Sequence, residues 1–365
     1  AAAAYIAYDL LSGPRIIDDV DLEVVVPNLV QACRMHWSAE DSCLYVCDSW
    51  GCKVWRQRLQ ASGAEPQGAP ELLLQTGGGG RDPAAVFRQA DGRVLVAFSG
   101  ERHLVAVDPA QPPDQDPPVV GDVTPVEQAP LVDFVHDSTL GGAYCASFGT
   151  QISYSYIWEG QSLTQSIMTK ASEKPPSGEE DTGPWVLAGN LFLPLGLALS
   201  PDGRTLICSQ LHTFHLWAWD RDPQTGVLSN FRVWAELQGA YCHGLCVDAE
   251  GCAWVAVVGS RDDPWTWNCL AGGPAAQYYK KWKTGVAAGG FVRVQEGGKI
   301  LQRVMLHDKY GVGCTLGGPD GHTLYMGIAT TADGQYRDYV QPGNSFVASL
   351  RVAVGAPGQG PAGGG

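Results

Sequence analysis

Apolar residues along this chain come in runs of strand length, either unbroken or alternating with polar ones, and glycine, proline and aspartate separate the runs. A helical rhythm of about 3.6 residues is hard to find in any window, so the pattern predicts strands joined by turns. Several pairs of runs flank an Asp-Gly step: Asp91-Gly92, Asp202-Gly203 and Asp320-Gly321. Such steps make tight hairpin turns because glycine takes the positive φ that these turns often require.

The hairpins recur as a weak repeat. Its copies are CRMHWSAEDSCLYVCDS from Cys33, AAVFRQADGRVLVAFSG from Ala84, VDFVHDSTLGGAYCASFG from Val132, LGLALSPDGRTLICSQ from Leu195, HGLCVDAEGCAWVAVVG from His243 and GCTLGGPDGHTLYMGIA from Gly313. The basic interval is roughly 50 residues, the size of one four-stranded propeller blade. Two intervals are longer, and insertions at 171–184 and 261–285 account for them. Six copies predict an all-β chain, one six-bladed β-propeller domain over residues 1–365. The sixth copy runs out after SFVASLRV (345–352), one strand short, while LEVVV (22–26) precedes the first copy and lacks a neighbour. Pairing the two is expected to close the ring with an N-terminal strand and remove an open edge. Both insertions are expected on the mouth face, and the Gly- and Pro-rich tail 355–365 is expected to be mobile.

Composition narrows the partners. A net charge of -14 repels a phosphate backbone, so nucleic acid is excluded and a small molecule or a protein remains. The longest apolar stretch, 186–199, is broken by Asn190 and Pro194 and falls short of the 18 or so residues of a membrane span. Eleven cysteines lie scattered in apolar runs without the spacing of a disulfide framework. They read as reduced thiols, among them Cys43, Cys47, Cys242 and Cys246 as core residues, and favour a reducing compartment. The start, AAAAYIAYDLL, reads as a processed or trimmed end and leaves the compartment open.

From residue 195 onward the chain resembles the SMP-30/gluconolactonase/LRE-like family of regucalcin-like six-bladed propellers. The carriers are LGLALSPDGRTLICSQ (195–210), WAWDRDPQTGVLSNFRVWAEL (217–237), HGLCVDAEGCAWVAV (243–257), CTLGGPDGHTLYMGIA (314–329) and SFVASLRVAVGAPG (345–358). The seven-bladed phosphogluconolactonase type shares the SPDG and TG.L segments, but six countable units and GGPDGHTLY favour the first. The resemblance implies lactonase activity and a divalent cation, calcium or zinc, at the mouth of a central channel, held by a Glu, two Asn and an Asp. Those four positions fall here on Cys33, Val132, Leu195 and His243, and the two remaining mouth positions on Ala84 and Gly313. A calcium ion wants six to eight oxygens. No cofactor is therefore expected, and calcium is expected to be absent from the central mouth.

On this alignment the mouth is lined by Cys33, Val132, Asp133, Leu195, His243 and Cys314, with Arg34 adjacent. That is an apolar socket with a few polar groups, suited to an uncharged or partly apolar ligand. A soft metal on His243 with Cys33 or Cys314 is chemically permitted. The 261–285 insertion brings Trp265, Trp267, Tyr278 and Trp282 beside lysines, rings that either grip a ligand or pack the loop onto the propeller. Asp133, Asp202, Asp248 and Asp320 read most simply as turn formers. No GxSxG or HExxH occurs, so catalytic residues are not identified. Two readings stand: a lactone or ester hydrolase with a non-standard active site, and a non-catalytic propeller that binds a small molecule or protein through the mouth and the aromatic loop 261–285.

Overall fold

Apolar runs become strands buried on both faces: every residue of Cys43–Asp48, Val94–Phe98 and Ala253–Val258 is buried. A computed structural model describes residues 15–18, 22–60, 65–77, 81–99, 103–122, 131–137, 142–147, 166–172, 185–191, 194–210, 214–237, 240–258, 289–306, 309–330 and 343–358. Among these residues the strands form six sheets, in chain order. The first runs from Ala32–Ser38 through Cys43–Asp48 and Lys53–Arg58 to Glu71–Gln75, and the second from Pro83–Arg88 to Val119–Asp122. The third starts at Leu131–Asp137, the fourth at Pro194–Leu199, the fifth at Tyr241–Val247 and the sixth at Lys309–Gly317.

The first strand of each sheet packs against the first strand of the next, and that of the sixth sheet against that of the first. The chain is an all-β propeller. Neighbouring sheets share apolar clusters. Tyr45 and Val54 of the first meet Val96 and Phe98 of the second, for example, and Trp254 and Phe291 of the fifth meet Met326 and Ala348 of the sixth. Glu23–Leu29 pairs antiparallel with Ser345–Arg351 at the outer edge of the sixth sheet. A strand that the sequence pattern did not flag, Arg15–Asp18, adds in parallel to Ile300–Leu306 at the outer edge of the fifth.

Each first strand carries a register irregularity near its start: between Ala32 and Arg34, Pro83 and Ala85, Leu131 and Asp133, Pro194 and Gly196, Cys242 and Leu245, and Gly311 and Gly313. A bulge re-aims the side chains that follow it. Cys33, Ala84, Val132, Leu195 and His243 therefore occupy equivalent places, as the repeat anchors require. In the sixth strand the bulged residue is Val312, one position before the anchor Gly313.

Asp91, Asp202, Asp248 and Asp320 hold hairpin turns by accepting the N–H of the residue two further on. Asp133 departs from that expectation and sits within a first strand. The tail expectation also needs correction at its start. The N–H of Ala249 donates to Gly355 and that of Ala356 to Gly321, each at 2.9 Å, and Gly355 allows this approach because a Cβ there would lie 2.7 Å from the Gly321 oxygen. Strand Ser166–Ser172 runs into the first two positions of the 171–184 insertion; the rest of that segment, 261–285 and 359–365 lie outside the described residues. Among the described residues no helix is long and apolar enough to cross a membrane.

The seam between the sixth and first sheets is close. Ala32 N–H donates to Ser345 Oγ at 3.0 Å, and a Cβ on Gly327 would lie 2.1 Å from the Ala32 carbonyl oxygen. Gly327→Ala is expected to cost about 3 kcal/mol, the upper end of overpacking penalties, seen as a lower urea midpoint.

Candidate functional site

The residues just after the first and third bulges form an ion pair. Arg34 Nε lies 2.8 Å from Asp133 Oδ1, and the two side chains are 12% and 7% exposed. Arg34 Nη1 donates to the Cys33 carbonyl at 2.8 Å, and Asp133 Oδ2 accepts the Leu197 N–H at 2.8 Å. The guanidinium has room because two neighbouring strands carry glycine. A Cβ on Gly244 would stand 3.0 Å from Arg34 Nη1 and 2.8 Å from the Cα of Gly313.

Burial lifts the Asp133 carboxyl to about 6, although Arg34 and the Leu197 N–H pull the other way. The same burial disfavours the Arg34 charge, but Asp133 outweighs it and holds the guanidinium above its ordinary value. Removing one member of such a pair is more costly than removing both, because the survivor is left charged or unsatisfied in a low dielectric.

The pair borders a cavity of about 270 Å³ whose walls come from the first strand of each of the six sheets, including Met35, Leu197, Leu199, Cys246 and Cys314. Three rings line it as well. Phe87 stacks on His136 with centroids 3.9 Å apart, and the His36 ring lies 4.5 Å from Phe87 on the other neighbouring strand. Burial, and then the facing His136, lower His36 to about 4, so it is neutral at neutral pH. His36 and Phe87 stand three residues after their anchors and His136 four after its own, so no spacing marked them as a set.

Of the residues expected at the mouth, Cys33, Asp133 and Cys314 line this cavity. The Cys33 thiol lies 2.6 Å from Ser49 Oγ, and burial raises it above its ordinary value. Val132 lies in its strand as expected, with its side chain outside the described residues. Leu195 and His243 are not part of the cavity wall, where Leu197, Gly244 and Leu245 stand instead. The half-buried His243 ring lies 6.3 Å from that of Tyr310. Trp265, Trp267, Tyr278 and Trp282 lie outside the described residues.

For the soft metal considered on His243 with Cys33 or Cys314, no group of three or more His, Cys, Asp or Glu residues that could hold an ion occurs among the described residues. The neighbour that Cys314 meets is Cys246, with 3.7 Å between sulfurs. Cys246, read from sequence as a core residue, is half-buried and borders the cavity. Calcium fits the axis no better. The bulged residues Cys33, Ala84, Val132, Leu195, His243 and Val312 include no side-chain oxygen, and both Asp133 oxygens already accept hydrogen bonds or an ion pair.

Residues 185–262 match the family model of the SMP-30/Gluconolactonase/LRE-like region. Regucalcin of Xenopus laevis is 31% identical over 147 residues, which cover 40% of this chain and 39% of that protein. The chain thus matches about two fifths of the length of this relative. Among solved structures, a luciferin-regenerating enzyme is similar with a TM-score of 0.67 at 15% identity, over 92% of this chain and 96% of that one. A calcium-binding protein, regucalcin, from Agrobacterium tumefaciens gives 0.63 at 14% identity, over 95% and 98%. A gluconolactonase from Xanthomonas campestris gives 0.59 at 17% identity, over 90% and 89%. At such identities the likeness is one of fold.

Arg34→Leu is expected to destabilise the protein by about 3–5 kcal/mol, whereas Arg34→Leu combined with Asp133→Leu is expected to recover most of that loss. A double-mutant cycle in urea measures both.

Proposed function

For a chain related to the SMP-30/gluconolactonase/LRE-like proteins through residues 185–262, we propose a lactone- or ester-hydrolysing propeller whose axial chemistry rests on Arg34 and Asp133 and not on bound calcium. In this reading the six sheets are six blades of one ring, closed by Glu23–Leu29 against Ser345–Arg351. The pairing of those two strands and the contacts of the first strands around the axis support it.

The observation that carries the hydrolase reading is the Arg34–Asp133 pair at the edge of a small-molecule-sized cavity. With its carboxyl at about 6, Asp133 is ionised at neutral pH yet basic enough to take a proton from water. The water oxygen adds to the lactone carbonyl, the proton passes to Asp133, and the ring oxygen leaves as an alcohol when that proton is returned. The fixed positive charge of Arg34 stabilises the oxyanion that forms between the two steps. Apolar walls and aromatic rings accommodate the uncharged body of the substrate.

One observation favours the second reading, a propeller that binds a small molecule without turning it over. Both Asp133 oxygens are already engaged, by Arg34 and by the Leu197 N–H, so the pair can serve simply to hold the cavity wall.

Hydrolysis of a panel of aliphatic and aromatic lactones and esters, assayed with a chelator present, decides between them. Turnover is expected to survive chelation, and calcium is expected to leave Tm unchanged. Because the ionised form of Asp133 is the base, kcat/KM should be full well above pH 6 and fall as the pH drops through about 6. Asp133→Asn should lower kcat at least ~100-fold. Turnover abolished by chelation would assign the chemistry to a metal, and no turnover with a ligand-dependent rise in Tm would establish the binding reading.

A further inference from the structure

Two thiols that the proposed hydrolysis does not use line the same cavity, on strands of different sheets. Cys246 lies on Tyr241–Val247 of the fifth sheet and Cys314 on Lys309–Gly317 of the sixth. These strands are not paired through a backbone ladder, yet they approach closely where Gly244 faces Gly313, since a Cβ on Gly244 would lie 2.8 Å from the Gly313 Cα. The cysteines follow two residues and one residue later, and their sulfurs stand 3.7 Å apart.

We propose that Cys246 and Cys314 are a modification site for small hydroperoxides, which convert the pair into a reversible disulfide joining the fifth and sixth sheets. The thiols are already ordered for it. Cys246 donates to the Cys314 sulfur, and Cys314 donates to the Trp254 carbonyl at 3.3 Å. A disulfide needs a sulfur separation of about 2.05 Å, so closure asks for a shift of under ~2 Å shared between two side chains. Both residues border the cavity, which gives a small oxidant a route to them.

The chemistry balances with the hydroperoxide as oxidant. The half-buried Cys246, as thiolate, attacks the O–O bond and takes one oxygen, giving a sulfenic acid and releasing an alcohol, or water when the oxidant is hydrogen peroxide. The Cys314 thiolate then attacks that sulfur, the S–S bond forms, and the sulfenic oxygen leaves as water. Two electrons pass from the sulfurs to the peroxide. Burial holds the Cys246 thiol well above its ordinary value, with Cys314 adding to the effect. The reaction is therefore slow near neutrality and accelerates as the pH rises.

The full chain treated with hydrogen peroxide, blocked with an alkylating agent and mapped by mass spectrometry provides the test. The expected result is a Cys246–Cys314 linked peptide that dithiothreitol releases, formed faster at pH 9 than at pH 7, with a higher Tm in the oxidised protein. In Cys314→Ser, Cys246 should stop at the sulfenic acid and be trapped by a dimedone probe. Recovery of both residues as alkylated thiols after peroxide, or linkage of either one to a different cysteine, overturns the proposal. The mapping of the unmutated chain decides the matter even if the serine variant fails to fold. Neither outcome depends on hydrolysis, so this proposal and the hydrolase reading fail separately.

Discussion

Strands that converge on a common axis run out of room for side chains, and the inner part of this propeller is governed by that crowding. Where Gly196, Gly244 and Gly313 stand, an added Cβ would meet the backbone of the next strand at 2.9, 2.8 and 2.1 Å respectively. The missing side chains let the strands close up, and they also leave a slot into which the Arg34 guanidinium fits. A charge so enclosed has lost most of its water, and its partner must be supplied by the protein. Asp133, from two sheets away, supplies it. The electrostatics of the cavity are thus a consequence of packing.

A tethered guanidinium differs from a divalent ion in ways that matter for the site. It brings one positive charge, needs no shell of oxygens, and cannot leave. Arg34 meets a carboxylate and a carbonyl, and the other bulged residues include cysteine, alanine, valine and leucine. Two further buried pairs, Arg221 with Asp137 and Arg293 with Asp248, show the contrast. Arg221 also donates to the Tyr144 hydroxyl and the Gly203 carbonyl, and Asp248 also holds a turn. These four residues are absent from the cavity wall and fasten sheets and turns, whereas Arg34 and Asp133 border the cavity.

The propeller was legible in the sequence because its repeating parts are local. Asp-Gly turns and apolar runs lie within a few residues of one another, and aligning them placed Cys33, Ala84, Val132, Leu195 and His243 at equivalent bulges. The side chains around the cavity were less legible, because a bulge turns its own residue and the next in different directions. Leu195 and His243 stand at bulges and are not part of the cavity wall, while Asp133, expected at the mouth but read as a turn former, borders the cavity from within a strand. His36, Phe87 and His136, and likewise Cys246 and Cys314, meet only because neighbouring strands stand side by side at a particular height. No short-range pattern encodes that height. The one-residue offset at Val312 shows how little slippage is needed to lose it.

The strand Glu23–Leu29 and its ladder partner Ser345–Arg351 lie far apart along the sequence. The Ala32 to Ser345 hydrogen bond, across the seam between the first and sixth sheets, spans 313 positions. During synthesis, a strand of this kind has no permanent neighbour until its distant partner has also left the ribosome. Its exposed edge must meanwhile be kept from pairing with other nascent chains. Val24, Val25 and Val26 lie on that edge, between Glu23 and Pro27. A charge on one side and a proline on the other are what discourages a waiting strand from finding the wrong companion.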